Sequence, residues 1–128
     1  MIKQSIVVAA AAFLLSGGVQ AEPIFELRTY TTHEGKLDTL HTRFRDHTMA
    51  LFEKHGMTNI GYWIPMETPN TLTYLLKHES AEAAKASWQG FGSDPVWQEV
   101  AKNSRKDGPI ISNIDNVFMT AADYSQIQ

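Results

Sequence analysis

The 128-residue chain contains no cysteine. That removes disulfides, thiolate nucleophiles, cysteine-ligated zinc, a CxxCH haem attachment and a lipidated N-terminal cysteine in one step. Cationic charge is also scarce, with 11 Lys and Arg against 14 Asp and Glu for a formal net charge of −3. Such a balance offers no basic patch for nucleic acid or an acidic membrane surface. Internal repeats, low-complexity tracts and blocks of like charge are missing, and no Gly-x-Ser-x-Gly elbow occurs. The fragment Gly90-Phe91-Gly92 lacks the preceding strand and the spacing of a dinucleotide fingerprint, so NAD binding is excluded.

What is present begins with one apolar run, Ile6–Leu15, behind a short start carrying Lys3 and ahead of the small-residue site Val19-Gln20-Ala21. This three-part pattern predicts a secretory signal over residues 1–21, cut after Ala21, because about ten apolar residues fall well short of the roughly 20 needed to cross a bilayer. The mature protein would be Glu22–Gln128, with ten basic and fourteen acidic side chains and no membrane span. Its expected destination is the periplasm or the medium. Residues 22–128 form a single domain, and one this small buries only about two thirds of its unfolded surface. With no disulfide to help, its stability must come from its core or from a partner.

Ile24–Thr31 alternates with a period of two and predicts a strand. Leu37, Leu40, Phe44, Thr48, Leu51 and His55 recur at helical spacing and predict a helix over Lys36–His55, closed by Gly56. Thr58–Pro65 and Thr71–His78 read as a hairpin joined through the Glu67–Asn70 cluster. Ser80 caps a helix Ala81–Trp88 that Gly90 and Gly92 should break, Asp94-Pro95 opens another over Val96–Ser104, and Ile110–Thr120 is the last strand. The order βαββαβ predicts an α+β, ferredoxin-like fold in which a four-stranded antiparallel sheet carries its helices on one face. The other face, read as holding Glu26, Arg28 and Tyr30, would be bare and would demand a second subunit. The expectation is a homodimer of the dimeric α/β barrel type, with Glu26 and Arg28 paired to each other or across the interface.

Five features stand in order along Ile24–Phe118: Glu26-Leu27-Arg28-Thr29-Tyr30, Lys54-His55-Gly56, Gly61-x-Trp63, Asn70 with Tyr74 and Ser80, and Asp94-Pro95-x-Trp97. In these the chain resembles the NIPSNAP domain family. The resemblance implies a ferredoxin-like dimeric barrel and supplies no catalytic residues. The export signal departs from the mitochondrial or vesicle-associated members, so their cellular roles do not follow.

Five histidines, His33, His41, His47, His55 and His78, lack the i, i+4 placement of a helical zinc motif. No metal or cofactor is expected; non-covalent haem on a histidine is the one alternative left. His47 lies some 70° from the centre of the apolar stripe and could border a space between helix and sheet. Trp63, Tyr74, His78 and Trp88 could line a cavity there, with Arg28 and Tyr30 as polar partners and Arg28 suited to an anion. The favoured reading is a non-catalytic domain binding a small apolar or aromatic molecule or a protein partner. The competing one is a cofactor-independent monooxygenase or isomerase, with His47 or His78 as base and Arg28 steadying an oxyanion.

Overall fold

The structure, a computed structural model, describes residues 21–128; apart from Ala21, the expected signal lies outside the described residues. Nine residues of β1 (Ile24–Thr32) lead through a turn at Gly35 into α1 (Leu37–Arg43). A π-helical turn (Phe44–Thr48) joins α1 without a break to α2 (Met49–Lys54). Then come β2 (Thr58–Trp63), β3 (Thr71–His78), α3 (Ala81–Ser93), α4 (Pro95–Ser104) and β4 (Ile111–Met119). The strands form one antiparallel sheet in the order β2-β3-β1-β4. This is the ferredoxin-like α+β fold expected from the order of elements.

Three elements differ from the sequence reading. The helix predicted over Lys36–His55 is continuous but carries a π turn, in which the Met49 amide reaches back five residues to the Phe44 carbonyl and Thr48 Oγ1 donates to the Arg43 carbonyl at 3.2 Å. Thr48 is buried, in keeping with its place in the apolar stripe, and His47 is exposed. The helix expected to stop at Trp88 instead runs on to Ser93 through both glycines. At Gly90 a Cβ would lie 3.0 Å from His55 Nδ1, so the missing side chain is what lets α3 approach the end of α2. β2 ends at Trp63, short of Pro65, which has no amide to give the ladder.

Register decides which face each strand residue serves. Tyr62, Tyr74 and Arg28 share one row, with Asn116 next in β4, and Leu76, Glu26 and Phe118 share the next. These rows point at the helices, where Leu40, Phe44, Phe52, Met57, Leu72, Tyr74, Leu76 and Phe91 make the core. Rings dominate it: Tyr62 stacks on Tyr74 at 5.0 Å between centroids, and Phe91 meets Trp97 at 4.5 Å. The expectation that Glu26, Arg28 and Tyr30 lie on the bare face is therefore corrected. They face the helices, while Phe25, Leu27, Thr29, Thr73, Leu75, Trp63 and Val117 take the outer face. A charged residue can occupy the covered side because its neighbours satisfy it, as the site geometry makes plain.

Candidate functional site

Glu26 is 0% exposed, and four donors hold its carboxylate. Oε1 accepts from His78 Nε2 at 2.8 Å and from Trp88 Nε1 at 2.8 Å; Oε2 accepts from Arg28 NH1 at 2.8 Å and from Asn116 Nδ2 at 3.1 Å. β1 supplies the acid and the arginine two residues apart on one face, β3 the histidine, α3 the indole and β4 the amide. Burial by itself would raise the Glu26 pKa, but the hydrogen bonds from His78, Trp88 and Arg28 together with the Arg28 charge outweigh it and hold the group at about 2. A carboxylate only accepts, so His78 Nε2 carries a proton.

Arg28 is as fully engaged as its partner. Nε donates to the Tyr74 hydroxyl at 2.8 Å, NH2 donates to the Tyr30 hydroxyl at 3.1 Å, and the guanidinium lies 4.3 Å from the centroid of the Trp88 ring. Burial would lower its pKa, yet Tyr74, Tyr30 and Glu26 raise it above the ordinary arginine value. Tyr74 in turn donates to Tyr30 at 2.9 Å, and burial, with Tyr30 beside it, pushes the Tyr74 hydroxyl well above the usual phenol range.

Of the residues singled out from sequence, Arg28, Tyr30, Tyr74, His78 and Trp88 thus meet in one network. Trp63 and His47 do not join it. Trp63 is on the outer sheet face, 53% exposed, its ring lying over Gly61 so closely that a Cβ there would meet it at 2.5 Å. His47 is exposed and lines an open groove of about 760 Å³ between α1 and α4, not a space between helix and sheet.

Among the described residues Arg28, Tyr74, His78 and Trp88 line none of the principal cavities, and only Tyr30 reaches one. That cavity, of about 290 Å³, is bounded by Tyr30, Arg43, Trp97, Arg105 and isoleucines of β4 and the segment before it. Sequence reasoning left out Glu26 as a centre, Asn116, and the two arginines of the cavity. Arg43 gave no signal, since at 100° per residue it lies about 60° from Leu40 on the side away from Phe44, outside the apolar stripe. Among the described residues no three His, Cys, Asp or Glu side chains converge as metal ligands.

With this geometry in place, the NIPSNAP family model matches residues 25–126. The chain belongs to the NIPSNAP family. No curated protein shows significant sequence similarity to it. An uncharacterized NIPSNAP-like domain protein from Burkholderia xenovorans is similar in structure, with a TM-score of 0.72 at 20% identity, covering 81% of this chain and 89% of that one. A NIPSNAP family protein of unknown function from Agrobacterium tumefaciens gives 0.73 at 18% identity, covering 86% of this chain and 100% of the other. A putative antibiotic biosynthesis monooxygenase from Chloroflexus aurantiacus gives 0.57 at 16% identity, over 84% and 100% of the two chains. At these identities the likeness is one of fold.

Several features behind the family resemblance have structural explanations in this NIPSNAP domain. Glu26, Arg28 and Tyr30 build the buried network, and Gly61 leaves space for the Trp63 ring. Asn70 takes φ +62°, a conformation asparagine tolerates, and its carbonyl accepts from the Thr32 amide at 2.7 Å. Asp94 is clamped by an ion pair with Lys54 and a hydrogen bond from His55.

Proposed function

We propose that this NIPSNAP domain is an exported homodimer that binds a small apolar or aromatic molecule on the helix side of its sheet and performs no acid–base chemistry with its polar centre. The observation that carries this reading is the saturation of Glu26: its four donors leave Glu26, Arg28 and His78 engaged with one another and sealed from the cavities. A base must reach a substrate proton. His78 has no such access, and His47, which reaches solvent, has no hydrogen bond from the described residues to orient its ring. This speaks against a monooxygenase or isomerase built on either histidine. The cavity beside Tyr30, of about 290 Å³, offers a small molecule the apolar surface of Trp97, Ile110, Ile111 and Ile114 beside the polar groups of Tyr30, Arg43 and Arg105.

The homodimer draws support from the outer sheet face. Its rows hold Leu27, Leu75, Val117 and the half-exposed Trp63, and Lys77 and Asp115 are their charged residues. Opposite charges at separate places on one patch are what a two-fold axis can pair. The segment after β4 borders part of this face, lining a cavity of about 390 Å³ with Phe25, Leu75 and Met119. Export rests on the leader pattern, and protein taken from the periplasm or medium is expected to begin at Glu22. For ligand binding, native mass spectrometry of protein purified from its own host should reveal a bound molecule, and a metabolite panel should raise the melting temperature. Protein that is empty and unresponsive to the panel would sink this reading.

A further inference from the structure

The 290 Å³ cavity is lined by donors and no carboxylate. Two arginines border it, Arg43 from the end of α1 and Arg105 just past α4, and no Asp or Glu does; Arg43 also borders the 760 Å³ groove, where Glu99 and Asp107 are the carboxylates of the lining. Among the described residues neither arginine has a salt-bridge partner. Arg43 is only 6% exposed; NH1 donates to Ser104 Oγ at 3.3 Å, its guanidinium lies 5.1 Å from the Trp97 ring centroid, and Nε has no hydrogen-bond partner. A buried cation with an unmet donor is costly, and an anion is the partner that would answer its charge and its donor together.

A second donor comes from the tyrosine pair. Arg28 donates to both the Tyr30 and the Tyr74 hydroxyls, and one hydroxyl donates to the other, so one O–H of the pair has no acceptor among the described residues. Tyr30 is the member that borders the cavity. Burial lowers the Arg43 pKa, and Arg105 adds like-charge repulsion that Tyr30 and Tyr74 do not cancel. The π-helical turn begins directly after Arg43, and the Thr48 hydroxyl fixes the Arg43 carbonyl, which places this arginine at an irregularity of a kind often found at functional sites.

We propose that the cavity takes a small organic acid, its carboxylate held by Arg43 and Arg105 with a hydrogen bond from the tyrosine pair, and its apolar or aromatic body against Trp97 and the isoleucines. This deepens the ligand-binding reading and rests on it. Arg43, Arg105 and Tyr30 set the charge class of the ligand, and the walls reject a bare hydrated anion.

The test compares benzoate, benzyl alcohol and inorganic phosphate as probes, by thermal shift and calorimetry, on the full mature chain and on Arg43→Met and Arg105→Ala. Benzoate should raise the melting temperature of the parent protein, with little response to the other two. Its affinity should fall about tenfold or more in Arg43→Met, the range of a lost hydrogen bond to a charged group, and severalfold in Arg105→Ala. Without probe, Arg43→Met should melt no lower than the parent, because it exchanges an uncompensated buried charge for an apolar side chain of similar length. Arg105 is exposed, so its variant keeps the test open if the Arg43 variant fails to fold. An equal response to benzyl alcohol would overturn the acid class while leaving ligand binding standing, and a response to phosphate matching benzoate would overturn the organic body. Benzoate binding unchanged in both variants would overturn the arginines' role. Failure of all three probes, with nothing bound in protein from the host, would remove the ligand-binding reading together with this one.

Discussion

Glu26 sits where a hydrophobic residue would ordinarily face a helix layer, and it is tolerable there because every acceptor direction is used. Replacing it with glutamine keeps the shape but presents an amide to four donors and leaves Arg28 buried beside a neutral group. Glu26→Gln should therefore lose about 3–5 kcal/mol in urea unfolding, the range for a buried pair deprived of one partner. The pH dependence has a definite sign. Its native pKa of about 2 lies below the ordinary glutamate value of 4.5, so the stabilisation is complete above about pH 4.5 and is lost as pH falls towards about 2. Thermal scans from about pH 6 to about pH 2 should show this decline in the parent protein and a shallower one in Glu26→Gln. The individual chemistry-bearing residues were readable in β1, but their side of the sheet was not. Alternation offers two faces, one with Phe25, Leu27 and Thr29 and one with Glu26, Arg28 and Tyr30. Hydrophobicity alone would bury the former, and only His78, Trp88 and Asn116, 52 to 90 residues away in sequence, tip the balance to the latter.

Between elements, the junction of α2, α3 and α4 is held by Asp94. Its Oδ1 accepts from the Val96 amide at 2.9 Å as the N-cap of α4, and its Oδ2 accepts from Lys54 Nζ and His55 Nε2, each at 2.7 Å. Those hydrogen bonds from Lys54, His55 and the Val96 amide hold its pKa well below the usual aspartate value, so this contribution to stability is present above about pH 4 and is lost in acid. The two functions are separable, since asparagine caps a helix nearly as well as aspartate but cannot form the ion pair. Asp94→Asn should lower the melting temperature, and Asp94→Ala should lower it further. If the two melt alike, the cap contributes nothing measurable. The Lys54-His55-Gly56 and Asp94-Pro95 stretches were legible as the end of one helix and the start of another. Their meeting was not, because local patterns carry no information about contacts 40 residues apart. The π turn was hidden for a related reason: Leu40, Phe44, Thr48 and Leu51 suit a regular helix, and the departure shows only in the backbone, where the Met49 amide reaches the Phe44 carbonyl.

At the scale of the molecule, the helix layer does not cover the whole sheet, and the shortfall is greatest at β4. After Ile111, every residue of that strand is exposed, including Ile114 and Phe118 on the helix side and Val117 and Met119 on the outer side. A nine-residue edge strand with apolar side chains on both faces invites association unless another chain covers it. The order of elements told of a sheet with one uncovered face, and that inference holds although the residues assigned to the face were the wrong half of the alternation. Val117 lies in the row of Leu75 and Leu27 and is 55% exposed, so an aspartate there should leave an isolated protomer's stability within about 0.5 kcal/mol of the parent. In a two-fold assembly through the outer face, the same change places two carboxylates in a desolvated patch and should dissociate it. Val96, 53% exposed on α4 in the helix layer, supplies the matched control. Sedimentation at micromolar concentration should find dimers for the parent and for Val96→Asp, and folded monomers for Val117→Asp. A monomeric parent, or equal dissociation by both substitutions, would place the interface elsewhere or nowhere, and the exposed β4 edge would then need another cover.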